Sequence, residues 1–267
     1  MLRTRIVTAA VLVALLLALV LWLPPVATFI AFTAIVLAGA WEWSAFLREP
    51  SAALRALYVA AVAVLLPLIW QLTATLPGTK LVLAVAVSWW IVAFAWVVLA
   101  PRRAARWSAA LAGLFALVPA WAALMRLRLD MPRGAEWLLF VLILVWVADI
   151  GAFFVGRRFG KMRLAPQVSP GKTWEGLLGG EAVSLLVALI GSGWFGVPAG
   201  IFVPLCLITV AFSVIGDLTE SLLKRFAGMK DSGTLFPGHG GIMDRIDSVT
   251  GAAPVLVFGL LALGVTR

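Results

Sequence analysis

The chain has 267 residues, of which 63% are hydrophobic and 12% are charged, whereas a soluble protein has roughly 25% charged residues. Apolar runs recur at about the 20-residue length that crosses a bilayer core, so the composition excludes an ordinary soluble enzyme and predicts an integral membrane protein. The net charge of +9 comes from scattered basic residues, so no nucleic-acid partner is expected. The single cysteine, Cys206, excludes an internal disulfide.

These runs predict an all-α fold, a polytopic bundle of about nine transmembrane helices in one membrane domain, 1–267. The predicted spans are 6–23, 26–47, 55–71, 81–100, 107–126, 136–156, 176–195, 198–216 and 247–265. The first run resembles a secretory signal but lacks a small-residue cleavage site before Pro24, so it is predicted to remain as a helix. Residues 1–130 are expected to form a scaffold. Residues 131–267 are expected to form the catalytic half, because most acidic residues lie there.

The distribution of Lys and Arg predicts the orientation, because these residues resist translocation. With the N-terminus inside, most of the 21 basic residues are cytoplasmic, and the outer ones are Lys80, Arg126, Arg128, Arg133 and Arg267. Two long segments, 157–175 and 217–246, are therefore predicted to be cytoplasmic. The three arginines at 126–133 are exceptions, because this orientation places them on the outer side. The excess of basic residues also favours contact with anionic membrane lipids.

Polar side chains follow the eighth apolar run at helical spacing. Asp217, Glu220, Ser221 and Lys224 stand at i, i+3, i+4 and i+7, so they share one face of a helix. Charged residues at the end of a membrane span are unfavourable unless they meet water, a partner or an ion. An ordinary solvated helix end with a Glu220–Lys224 pair is the alternative explanation.

The segment from Gly228 to Asp247 combines five glycines with basic residues, three aspartates and the only histidine. Glycines such as Gly240 and Gly241 let backbone N–H groups approach an anion closely. Asp244 and Asp247 supply hard oxygen ligands of the kind that Mg²⁺ binds beside phosphates. The alternative is a flexible loop in which Asp247 caps the next helix. The donors expected to bind phosphate are Lys224, Arg225, Lys230, His239 and Arg245.

Two further stretches in the catalytic half are candidates. Asp149 stands in an apolar run, where a carboxylate is expected to face the bundle interior and bind an ion or a basic partner, unless it is a buried structural residue. Within the sequence SPGKTWEG, the residues GKT look like the end of a phosphate-binding P-loop. That motif is rejected because Pro166 stands at the position of its first glycine. Its phosphate-binding candidates are Ser169, Lys172 and Thr173. The GxxxG spacing at 176–180 predicts close helix packing within one chain or between chains.

The stretch from Ser221 to Asp247, with SLLKR and KDSGTLFPGHGGIMDRID, resembles the signature of the phosphatidate cytidylyltransferase (CDP-diacylglycerol synthase) family. Residues 149–161, 169–176 and 216–221 also resemble this family. One difference is Phe153, at a position where the family often has tyrosine. The resemblance implies a dimeric, Mg²⁺-dependent membrane enzyme, with a monovalent cation such as K⁺ as a second ion. It implies that CTP and phosphatidate give CDP-diacylglycerol and pyrophosphate. It places the metal-binding acids on Asp217 and Asp244.

The resulting hypothesis is a cytoplasmic active site in a bacterial inner membrane, where Mg²⁺ on the two metal-binding acids screens two anionic reactants. The candidate catalytic residues are Asp217, Ser221, Lys224, Arg225, Lys230, His239, Asp244 and Arg245. The candidate substrate-binding residues are Asp149, Ser169, Lys172, Thr173, Asp231, Gly240, Gly241 and Asp247. The alternatives are a CTP-dependent lipid-alcohol kinase and an ion-coupled transporter with Asp149 and Asp217 as ion ligands.

Overall fold

A computed structural model describes residues 2–48, 50–233 and 240–265, with side chains from Ala10 onward. Eight of its helices are long and apolar enough to cross a membrane, and the first contributes an apolar stretch over Ala10–Leu21. The predicted all-α membrane bundle is confirmed. Within the described ranges the α-helices are α1 Leu2–Leu21, α2 Pro25–Ser44, α3 Ala52–Leu72, α4 Leu76–Leu99, α5 Arg106–Asp130, α6 Gly134–Phe159, α7 Trp174–Phe195, α8 Ala199–Phe226 and α9 Met243–Ala262.

Local sequence signals explain several helix starts. Pro25 opens α2, where its missing N–H has no cost because the first turn leaves that group unpaired. Ser51 caps α3 by accepting from Leu54 N at 3.2 Å. Thr75 caps α4 by accepting from Gly78 N at 3.2 Å. Capping residues between the apolar runs therefore set these helix boundaries.

The structure differs most from the predicted bounds at the polar segment 217–246. Helix α8 continues ten residues beyond the predicted end at 216, to Phe226, and α9 begins at Met243 rather than 247. The buried side chains of Leu218, Leu222 and Leu223 explain the longer α8. They give the helix an apolar face that packs inside the protein beyond the end of the apolar run at 216. Asp247 lies inside α9, so the interpretation of this residue as a helix cap is wrong.

A β-hairpin joins α6 to α7, in the segment 157–175 that was predicted only as a cytoplasmic loop. Its strands are β1 Arg163–Ala165 and β2 Ser169–Thr173, paired antiparallel. Thr173 ends β2 and caps α7, since its side chain accepts from Gly176 N at 3.1 Å. The hairpin thereby holds Lys172, next to Thr173, close to the membrane-spanning helices.

Helices α6 and α7 approach closely through small residues. A Cβ atom on Gly179 would overlap the side chain of Val155, and one on Gly180 would press on the carbonyl oxygen of Ala148. The GxxxG spacing at 176–180 therefore serves packing within one chain. Small residues let helix backbones approach where lipid supplies no hydrophobic driving force.

The glycine at this contact gives a direct test of the packing. Gly179→Leu is expected to lower the stability of the purified protein by about 1–3 kcal/mol, because the new side chain has no space beside Val155. Thermal unfolding in detergent, followed by tryptophan fluorescence, measures the change. Gly193→Leu on the same helix is the control, since a Cβ there meets nothing within 4 Å among the described residues. Equal unfolding temperatures for the two variants would contradict this account of the contact.

The arginines at 126–133 link the ends of neighbouring helices on the side away from the long polar segments. Arg126 Nη2 donates to Trp70 O at 2.6 Å, Arg128 Nη2 to Val20 O at 3.3 Å and Arg133 Nη1 to Trp194 O at 2.9 Å. Each of these carbonyls lies in the last turn of a helix, where backbone oxygens lack helical partners. These arginines therefore have a structural use that the charge bias alone does not explain.

Candidate functional site

Charged side chains from α6, the β-hairpin, α8 and α9 meet where the end of α8 lies against the start of α9. Two glycines make this approach possible. A Cβ on Gly216 would overlap the carbonyl oxygen of Asp247, and one on Gly251 would overlap that of Phe212. We call the following residues the acidic cluster: Asp149, Asp217, Glu220, Asp244 and Asp247, with Lys172 and Lys224 as their basic partners.

Asp244, in the first turn of α9, is the most heavily hydrogen-bonded acid of this cluster. Its Oδ1 lies 2.7 Å from Lys224 Nζ. Its Oδ2 accepts from Gly241 N at 2.8 Å, from Ser232 N at 3.0 Å and from Ser232 Oγ at 2.9 Å. Gly240 has a φ of +78° and no room for a Cβ beside this carboxylate. These donors hold the Asp244 side chain in one orientation.

Lys224 bridges two helices inside the protein. Its Nζ contacts Glu220 Oε2 at 3.1 Å and Asp244 Oδ1 at 2.7 Å, and the three side chains are at most 13% exposed. The predicted Glu220–Lys224 pair is confirmed, but it is buried, so the ordinary solvated helix end does not describe it. The buried Glu220 carboxyl lies against the carboxyl of Asp247, with which it interacts electrostatically and through a side-chain hydrogen bond.

Asp217 connects α8 to the β-hairpin. Its Oδ2 lies 2.5 Å from Lys172 Nζ, and Ser221 Oγ donates to its Oδ1 at 3.3 Å. Asp149 on α6 interacts electrostatically with Asp217 and Lys172 and hydrogen-bonds Ser248. The structure therefore brings together residues that are up to about one hundred positions apart in the printed sequence.

Other predicted site residues lie outside this cluster. Arg225 is exposed and donates to Met229 O at 3.4 Å, and Lys230 and Asp231 are exposed on the connection after α8. Ser169 stands at the start of β2, and the Thr173 hydroxyl is used as a helix cap. His239 lies outside the described residues. The roles assigned to these residues stay predictions.

Two residues of the site were missed by the sequence reasoning. Glu42, near the end of α2, and Ser232, on the connection before α9, are both buried and hydrogen-bonded to each other at 3.0 Å. Glu42 stands in an apolar run between two tryptophans. The rule that selected Asp149, a carboxylate within a membrane span, selects Glu42 as well.

An apolar cavity leads to the acidic cluster. It encloses about 640 Å³ between α1, α2, α5, α6 and α9. Aromatic and aliphatic side chains form most of its wall, among them Phe32, Trp121, Leu142 and Trp146. Its polar lining includes Asp149, Asp244, Arg245 and Asp247. A molecule with long apolar chains suits this wall, and since three of these four charged groups are acids, an anionic end would pair with Arg245 or with a bound cation.

The carboxylates have the donor chemistry of a magnesium site. Asp217 and Asp247 interact electrostatically, Asp244 lies one helical turn before Asp247, and the buried Glu220 carboxyl lies against that of Asp247. In residues 2–48, 50–233 and 240–265, no group of three or more His, Cys, Asp or Glu is placed to hold a metal ion. Carboxylates suit Mg²⁺ that is bound by one or two of them together with substrate phosphates, which is its usual mode.

Known proteins similar to this chain share one activity name. The sequence profile of the cytidylyltransferase family matches residues 3–263. A phosphatidate cytidylyltransferase of Haemophilus influenzae is 41% identical, over 95% of this chain and 96% of its own length. One of Pseudomonas aeruginosa is also 41% identical, over 99% of this chain and 98% of its own. One of Bacillus subtilis is 45% identical over 49% of each chain.

Proposed function

Because the chain belongs to the cytidylyltransferase family, we propose that it transfers the cytidylyl group of CTP to phosphatidate, giving CDP-diacylglycerol and pyrophosphate. The two relatives that match over nearly its whole length carry the name phosphatidate cytidylyltransferase. Membership of this family makes the chain a nucleotidyltransferase, and the ion-coupled transporter is no longer needed to explain its intramembrane acids.

The observation that carries the choice of substrate is the apolar cavity that ends at charged groups. Phosphatidate has two acyl chains and a phosphate, so its chains suit the wall that includes Phe32 and Trp146, and its phosphate would pair with Arg245 and with a cation held by the acids in the lining. Burying apolar chains is favourable by about 25 cal/mol per Å² of surface removed from water. A water-soluble acceptor would gain nothing from such a wall.

The chemistry needs screening of charge more than it needs a strong base. A phosphatidate oxygen attacks the α-phosphorus of CTP, and the bond from that phosphorus to the bridging oxygen of pyrophosphate breaks. Phosphatidate is already ionised at neutral pH, so no proton has to be removed before the attack. Lys172 and Lys224 are fixed by Asp217 and Asp244 at the site and provide positive charge for phosphate oxygens.

Mg²⁺ belongs to this proposal as the cofactor, with Asp217 and Asp244 as the residues that would hold it. Bound Mg²⁺ would neutralise negative charge on the phosphoryl group that is transferred. The hydrogen bonds from Ser232 and Gly241 keep the Asp244 carboxylate oriented. A monovalent cation such as K⁺ is proposed as the second ion, and rates measured with and without added K⁺ test it.

The membrane side and the assembly state are also proposed. The bias of Lys and Arg supports a cytoplasmic site, and the bacterial relatives support an inner-membrane location. The family resemblance supports a homodimer. Cysteine labelling from either side of the membrane and the mass of the protein–detergent particle test these points.

The identity of the transferred group tests the proposed reaction. The purified protein is incubated with phosphatidate, Mg²⁺ and CTP labelled at either the α- or the γ-phosphate. We expect label in the lipid only from α-labelled CTP, with pyrophosphate as the second product. Lipid labelled from the γ-position instead would establish a CTP-dependent lipid kinase, and unlabelled lipid in both reactions would refute transfer to phosphatidate.

A further inference from the structure

Glu42 is the polar link between the N-terminal helices and the acidic cluster. It lies near the end of α2, in the half of the chain that was predicted to be a scaffold, and it is only 8% exposed. We infer that Glu42 is a positioning residue for cytidylyl transfer, which orients Asp244 through Ser232 and the first residue of α9. This inference rests on the proposed function.

Glu42 reaches Asp244 through a single hydroxyl group. Its Oε2 lies 3.0 Å from Ser232 Oγ, which in turn lies 2.9 Å from Asp244 Oδ2, so the two carboxylates share the one proton of this hydroxyl. The backbone N–H of Asp244 points back to the same hydroxyl at 3.3 Å. Ser232 is 3% exposed, so water does not compete for these contacts. A shift of Glu42 therefore displaces the hydroxyl that helps to hold Asp244.

Glu42 also holds the start of α9. Its Oε2 accepts from Met243 N at 2.9 Å. Met243 is the first residue of α9, and Ile242 before it offers no side-chain cap. The N–H groups of a first helical turn need an acceptor, and an anion there is favoured by the helix dipole. Glu42 thus does from another helix what a capping side chain normally does locally.

Two glycines of the signature segment leave space for this carboxylate. A Cβ on Gly233 would collide with Glu42 Oε1, and a Cβ on Gly241 would collide with Oε2. The polypeptide before α9 therefore encloses the Glu42 carboxylate on two sides. This fit is independent of the hydrogen bonds, and it assigns both glycines a use other than contact with substrate.

Kinetics of Glu42 variants test the inference. Glu42→Leu keeps a side chain of similar size but removes both acceptors, and we expect kcat to fall by about 10²-fold, the effect of misplacing a catalytic group by about 1 Å. KM for CTP and for phosphatidate should stay within about threefold, because lost transition-state contacts lower kcat rather than raise KM. Glu42→Gln keeps an acceptor and should restore most of kcat.

Trp43→Phe is the matched control. It removes a buried hydrogen bond from the same helix, from Trp43 Nε1 to Ala109 O at 2.8 Å, and neither this bond nor the ring contact with Phe46 involves the acidic cluster. It should lower the unfolding temperature and leave kcat within about twofold, since its contact is structural. Gly241→Ala, which pushes on Glu42, should instead reproduce the kcat loss of Glu42→Leu.

The outcomes separate this inference from the proposed function. A wild-type protein that forms no CDP-diacylglycerol refutes the function itself. An active wild type with a Glu42→Leu kcat within about threefold of it overturns only the positioning role. If Glu42→Leu cannot be purified in a folded state, Glu42→Asp tests the positioning role instead. Its side chain is one methylene shorter, which moves the carboxylate away from Ser232. A loss of kcat of about tenfold supports the role, and full activity overturns it.

Discussion

Asp244→Asn is expected to lower the rate of CDP-diacylglycerol formation by at least about 10³-fold, the size seen when a charge-stabilising group is removed from a phosphoryl-transfer site. The carboxylate accepts from Lys224 Nζ and from the backbone N–H groups of Gly241 and Ser232, and it shares the hydroxyl proton of Ser232 with Glu42. An amide cannot accept from all of them, and it is a weaker ligand for a divalent cation. Initial rates in detergent–phosphatidate micelles with α-labelled CTP measure the loss.

Asp130→Asn provides the control for this substitution. Asp130 is half exposed and pairs with Arg126 at the opposite end of the bundle. Asp130 is the solvent-facing member of this pair and belongs to no part of the acidic cluster, so its neutralisation should leave the rate nearly unchanged. Asp217→Asn should match Asp244→Asn, because both acids are proposed to hold Mg²⁺. A variant of either acid with more than about one tenth of the wild-type rate, a barrier change under about 1.4 kcal/mol, removes that acid from the proposed ligands.

Lys224→Met is expected to reduce both stability and activity. Lys224 is buried between Glu220 and Asp244, and its removal leaves two carboxylates without their cation. Breaking a buried ion pair by removing one partner costs about 3–5 kcal/mol. Thermal unfolding in detergent should therefore shift clearly downward. The rate of cytidylyl transfer should fall with it, because the lysine that is proposed to neutralise phosphate charge is gone.

A second substitution separates these two effects. Adding Glu220→Gln removes the charge of the carboxylate that is 1% exposed, so the double variant should regain much of the lost stability while its activity stays low. Arg225→Met serves as the stability control, since this neighbouring residue is exposed and surface substitutions change stability by about 0.5 kcal/mol or less. Recovery of activity in the double variant would show that Lys224 has only a structural role.

The positions of the membrane helices were predictable because lipid demands long apolar segments with internally paired backbones. The helical face with Asp217, Glu220 and Lys224 was predictable for a similar reason, since spacing along one helix is a local property. The β-hairpin at 163–173 was not predicted. Its strands have three and five residues, too short for a periodic pattern, and their pairing depends on contact with each other.

The assembly of the site was only partly predictable. The structure places the signature residues Asp244 and Asp217 in one cluster, whereas Glu42, which contacts Ser232 190 positions away, was assigned to a scaffold because few acidic residues lie in the first half of the chain. No sequence spacing encodes a contact of this kind. The helix beyond the predicted membrane span at 216 was indicated by the spacing of Asp217, Glu220 and Lys224, but its end at Phe226 depends on the buried contacts of Leu222 and Leu223.

The sequence by itself determined that the chain is a helical membrane protein and which acids are candidates for the chemistry, because composition, local periodicity and a dense motif act through neighbouring residues. Only the tertiary structure decided which of these groups touch. Gly216 and Gly251 bring α8 and α9 together, Lys172 reaches Asp217 from the hairpin, and Glu42 caps α9 from α2. Those contacts depend on how helices pack, and packing is set by the shapes of surfaces that are distant in sequence.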